Sequence, residues 1–116
     1  MKRLTATVTA LLLAAQALGA PSAPTPTANV PVHRYLVERT YPPGALDAMD
    51  ATFKAQVNTN NARLGVRWVL SYENAARTKT YCVYEGPNEA AIRAAAAASG
   101  LPVDSVTEVP LTVLPE

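Results

Sequence analysis

Apolar and polar residues change their spacing along the chain in a way that marks out successive elements. Over residues 33–41, Tyr35, Val37 and Tyr41 alternate with Arg34, Glu38 and Thr40, while Leu36 falls on the second face, so the segment predicts a strand with apolar character on both sides. Pro42-Pro43-Gly44 stops it. From Ala45 the apolar positions become Leu46, Met49, Phe53 and Val57, one stripe of a helix, with Asp47 and Asp50 near its positive N-terminal end. This helix is expected to fray through residues 58–61 and to end by Gly65. Residues 66–72 and 79–85 are β-branched and aromatic, and the short polar stretch 73–78 between them makes the pair a hairpin.

Gly86-Pro87 then breaks the chain, Asn88 offers a capping side chain and Glu89 a carboxylate for a first helical turn. The alanine-rich residues 90–99 continue as helix, Gly100 and Pro102 close it, and residues 103–109 alternate loosely as a last strand. The order βαββαβ predicts an α+β, ferredoxin-like domain, a four-stranded antiparallel sheet with both helices on one face. Strict alternation places Trp68, Leu70 and Tyr72 opposite Val69, and Tyr81 and Val83 opposite Cys82 and Tyr84. Two helices cover one face only, so apolar residues on both faces lead us to expect a homodimer in which the sheet of a second copy covers the open face.

Composition adds an address. Of 116 residues 49% are hydrophobic, but the first twenty inflate that figure. Lys2 and Arg3 precede an uncharged run centred on Leu11, Leu12 and Leu13, which ends in Ala17-Leu18-Gly19-Ala20; residues 1–20 therefore read as a secretory signal peptide cut after Gly19 or Ala20. The run contains Thr5, Thr7, Thr9 and Gln16 and is short for a bilayer, so no permanent membrane span is expected after cleavage. Residues 21–31 carry four prolines and read as an extended Pro/Thr/Ala-rich linker, leaving residues 32–116 as the domain with a short C-terminal tail. The expected location is secreted or periplasmic. The formal net charge is +1, from 10 basic and 9 acidic residues; without Lys2 and Arg3 it is 8 against 9, or −1. A near-neutral chain lacks the field that phosphate backbones require, which excludes nucleic acid as a partner.

The chemical groups are few. One histidine, His33, and one cysteine, Cys82, cannot close a four-ligand zinc site in one subunit, and Cys82 has no partner for an internal disulfide. Cys82 reads as a buried small hydrophobe. His33 sits at the start of the first strand beside the linker, a poor place for a nucleophile's base, so no catalytic residues are assigned and an enzyme is disfavoured. Candidate metal ligands are His33, Glu38, Cys82 and Glu85, and Trp68, Tyr72, Tyr81 and Tyr84 are candidates for lining a small-ligand pocket. The alternatives are a dimeric α/β-barrel enzyme, by analogy of fold, and a structural or interaction module of the cell envelope.

A family resemblance rests on Arg67-Trp68-Val69-Leu70-Ser71-Tyr72, on Tyr81-Cys82-Val83-Tyr84-Glu85-x-Pro87-Asn88-Glu89, on Ala91-Ile92-Arg93 and on Gly100-Leu101-Pro102-Val103-Asp104-Ser105-Val106-Thr107-Glu108. With Tyr35-Leu36-Val37-Glu38-Arg39 as an opening strand, the chain resembles the small ferredoxin-like nickel-binding proteins, a domain-of-unknown-function family. The resemblance implies a dimeric α/β barrel or sandwich and, for some members, nickel held by histidine-containing sites; for this chain nickel or another divalent metal is the expected cofactor, if it has one. The family it resembles commonly carries a histidine just before the Ser-Tyr pair and another in the Ile-Arg-x-His turn of the second helix; here those positions hold Leu70 and Ala95, which offer no lone pair.

Overall fold

The structure is a computed structural model and describes residues 31–116. The expected signal peptide, residues 1–20, and all but the last residue of the expected linker, 21–31, lie outside the described residues. Four strands form one antiparallel sheet: β1 (His33–Thr40), β2 (Arg67–Glu73), β3 (Lys79–Gly86) and β4 (Ser105–Glu108), in the spatial order β2-β3-β1-β4. Helices α1 (Ala51–Arg63) and α2 (Glu89–Ala98) follow β1 and β3. This is the ferredoxin-like α+β architecture that the order of elements implies.

The two central strands, β1 and β3, pair along their whole length, from His33 against Gly86 to Thr40 against Lys79. Tyr35, Val37, Cys82 and Tyr84 point to the helix side and pack with Val66, Ile92 and Ala95 as the core. Burying a residue such as Ile92 contributes about 1.5–3 kcal/mol, and α2 supplies Ile92, Ala95 and Ala96 to that layer. Asn88 caps α2 as its sequence suggests, its side chain accepting from the Ala91 N–H at 2.8 Å. Gly86 lacks a Cβ where one is needed least: a carbon there would stand 3.0 Å from Ile92 Cδ1 and 3.2 Å from Val66 Cγ2.

Three local expectations change. The helical stripe from Leu46 to Val57 is cut in two, a 3-10 turn over Ala45–Ala48 and then α1, because Asp50 leaves the helix and caps it, accepting from the Phe53 N–H at 2.8 Å. Residues 58–61 do not fray. Asn60 and Asn61 are buried, and Asn60 Nδ2 donates to Ala98 O at 3.3 Å and Ser99 Oγ at 3.1 Å, tying the end of α1 to the end of α2. Finally, β2 carries a β-bulge between Trp68 and Leu70. Trp68 pairs with Tyr84 and Ser71 with Cys82 on the helix side, whereas Leu70 pairs with Val83 and Tyr72 with Tyr81 on the open side. Trp68 therefore does not share a face with Leu70 and Tyr72.

Candidate functional site: a cavity between sheet and helices

The helix layer leaves a cavity of about 410 Å³ at the β2 side of the sheet. Strand residues Arg39, Cys82, Tyr84 and Trp68 line it, and Leu46, Phe53 and Val57 approach from the 3-10 turn and α1. At the hairpin end Arg77, in the left-handed region at φ 57°, reaches back to Asp47 at 2.6 Å and to Glu73 at 3.1 Å, joining the hairpin to the 3-10 turn across the rim.

Arg39 is the least expected group here. It lies in register with Tyr35, Val37 and Tyr41 and is only 2% exposed. Its guanidinium donates to Pro102 O at 2.7 Å and to the Tyr84 hydroxyl at 3.3 Å, and sits 5.5 Å from the centroid of the Tyr84 ring. Burial pushes the phenols of Tyr84 and Tyr41 above their ordinary range, with Arg39 opposing the rise at both. The indole N–H of Trp68 donates to Ser71 Oγ at 2.8 Å, and the Cys82 thiol lies 3.3 Å from Thr80 Oγ1.

The residues singled out from the sequence divide among three places. Trp68, Tyr72 and Tyr84 line this cavity, together with Cys82. Tyr81 does not; it faces the open side beneath the Lys79 ammonium, 5.5 Å from its ring centroid. His33 and Glu85 border a separate hollow at the other end of the sheet, with Arg34 and Glu108. There His33 Nδ1 lies 2.9 Å from Glu108 Oε2, and Arg67 donates twice to Glu85 Oε1, at 2.7 and 3.0 Å. Glu38 stands apart from both, accepting from Ser105 at 3.1 Å and pairing with Lys79 at 3.4 Å. Among the described residues, no three or more histidine, cysteine, aspartate and glutamate side chains gather as a metal site requires. The sheet explains the scatter: Cys82 pairs with Val37, four residues along β1 from His33, which at ~3.3 Å per residue separates thiol and imidazole by about 13 Å. Leu70 is on the open face, while Ala95 is 2% exposed in the core, so the two positions are on opposite sides of the sheet.

Fold and cavity together define a small ferredoxin-like α+β protein with a sheet–helix hollow. The chain belongs to the family described as nickel responsive protein SCO4226-like, whose model matches residues 35–109. The crystal structure of SCO4226 from Streptomyces coelicolor A3(2) superposes with a TM-score of 0.52, covering 69% of this chain and 99% of that one at 18% identity. At that identity the likeness shows a shared fold. A search of curated proteins finds no match. The family name raises nickel, but the residues of one subunit do not fit a nickel centre. Leu70 and Ala95 have no donor atom, Cys82 is buried and His33 has no second imidazole near it.

Proposed function

We propose that this chain is an exported, dimeric, non-enzymatic binding protein that takes a small ligand into the sheet–helix cavity. The cavity itself carries the reading. It is of the size that encloses small molecules, its wall is mainly apolar and aromatic, and a few fixed polar groups converge on it. Enzymatic use is disfavoured because Cys82 and the tyrosines of the cavity have no imidazole within reach to take their protons. Export is supported by the charge and hydropathy layout of residues 1–20. Among the described residues, no helix is long and apolar enough to cross a membrane.

Dimerisation is supported by the open sheet face, where Leu36, Leu70, Tyr72, Tyr81 and Val83 share one side; Leu70 is 40% and Tyr72 66% exposed. Nickel has a second, weaker place in this reading. His33, already oriented by Glu108 and close to Glu85, is the one imidazole that a second subunit could double.

Native mass spectrometry of untagged chain recovered from the producing cell tests these points together. The expected species is a dimer of chains beginning at residue 20 or 21, with a non-covalent small-molecule adduct. Monomers retaining Met1 and no adduct would refute the reading. Titration of nickel into the same preparation should show weak binding that His33→Ala abolishes; tight binding that survives His33→Ala would place the metal elsewhere.

A further inference from the structure

We infer that the cavity is an anion site, and that its ligand is a small organic carboxylate whose charged end meets Arg39 while an apolar or aromatic body fills the space below α1. The inference rests on reading this cavity as the binding site and adds the chemical class of what enters it.

The argument is an imbalance of charge and of hydrogen-bond donors. Four charged residues line the cavity: Arg39, Lys54 and Arg77 against Glu73. Arg77 is already matched, by Glu73 and by Asp47. Arg39 and Lys54 make no ion pair with any described residue. For an exposed lysine that is ordinary. For a guanidinium 2% exposed it is not, since a buried cation is normally matched by an anion. A guanidinium has five N–H donors, and the acceptors here are one carbonyl and one phenol oxygen.

The neighbouring hydroxyls add to the surplus. Tyr84 and Ser71 already serve as acceptors, from Arg39 and from Trp68, which leaves their own protons without a described acceptor. A site with donors to spare and few acceptors suits a ligand rich in acceptors and negative in charge. The planar fork of arginine suits a carboxylate in particular. The remaining wall, with Leu46, Phe53, Val57 and the Trp68 ring, has no use for a hydrated inorganic ion and favours a hydrocarbon body attached to the anion.

The test uses the untagged exported chain, with its single tryptophan, Trp68, as an internal fluorescent reporter beside calorimetry. Three probes are titrated: 3-phenylpropionate, its uncharged amide 3-phenylpropionamide, and sulfate. The carboxylate should bind at least tenfold more tightly than the amide and than sulfate, and should change Trp68 emission. Arg39→Gln should abolish that preference. Val57→Phe, which fills the cavity and leaves Arg39 in place, should abolish binding of all three, and it provides the control if Arg39→Gln fails to fold. Amide binding as tight as that of the carboxylate would overturn the anion assignment while leaving the protein a binder of apolar ligands. Sulfate binding as tight as the carboxylate would equally overturn an organic ligand. No response to any probe would overturn the anion assignment, and the absence of any adduct in the native mass spectrum would in addition refute the binding function.

Discussion

Three phenols, those of Tyr35, Tyr41 and Tyr84, are held protonated past the ordinary tyrosine value of 10.0, chiefly by burial; at Tyr35 the carboxylates of Glu108 and Glu89 add to the effect. Below pH 10 these groups are neutral in both folded and unfolded chains, so their contribution to stability is fully present. Above it the unfolded chain releases protons that the folded chain retains, and stability must fall as pH rises toward the raised values. Urea midpoints measured at pH 8 and pH 11 should show the loss, and equal midpoints would contradict the burial of these hydroxyls. Asn60 offers a second check at this scale. Asn60→Ala removes two hydrogen bonds between the helix ends and should cost about 1–3 kcal/mol. Both asparagines and Arg39 escape a reading of the sequence for the same physical reason. Polar side chains are assigned to solvent by default, and only their tertiary partners reveal that they are inside. Arg39 did leave one trace, its parity with Tyr35, Val37 and Tyr41, where a charged residue interrupts the inward row of β1.

Among the elements, the order and type of every strand and helix could be read from spacing and breakers, because Pro42-Pro43-Gly44, Gly86-Pro87-Asn88 and Gly100-Leu101-Pro102 punctuate the chain with residues whose backbone or capping preferences leave little choice. What spacing could not supply was the break at Asp50. The apolar stripe runs through Met49 without interruption, and only the competition of the Asp50 carboxylate for the Phe53 N–H separates turn from helix. The contact of α2 with the end of β3 makes a prediction. Gly86→Ala forces a methyl group against Ile92 and Val66 and should cost about 1–3 kcal/mol in chemical unfolding, with the far-ultraviolet spectrum retained. A neutral result would mean that α2 moves away from the sheet more freely than this packing allows.

For the whole molecule the decisive surface is the sheet face turned away from the helices. Its centre is apolar, Leu36 and Leu70 flanking Val83, and both ends carry paired charges, Arg67 with Glu85 and Lys79 with Glu38. A two-fold axis beside Val83 would set the two copies of that residue against one another, which an apolar side chain tolerates and a charge does not. Val83→Glu should therefore yield monomers by light scattering at micromolar concentration with the fold intact; a surviving dimer would move the interface to another surface. The candidate site was legible only in part at this scale. Trp68 and Tyr84 face one cavity from the helix side, and Tyr72, although its place in β2 turns it to the open side, borders that cavity from the edge strand; Tyr81 shares the open side with Tyr72 but stands on the inner strand β3, away from the edge, and does not line it.

The bulge in β2 has one more consequence, which is a matter of counting. In an unbroken strand, residues three apart look in opposite directions, so an indole and a hydroxyl at that separation could never meet. Trp68 and Ser71 are three apart, and they meet at 2.8 Å, because the chain spends one residue at Val69 without advancing along β3. Val69 is thus a surplus step. Without it the strand would keep even time, with Trp68 and Ser71 still looking into the cavity and Leu70 and Tyr72 still looking out. At this point the strand can change length by one residue and leave every facing group where it was.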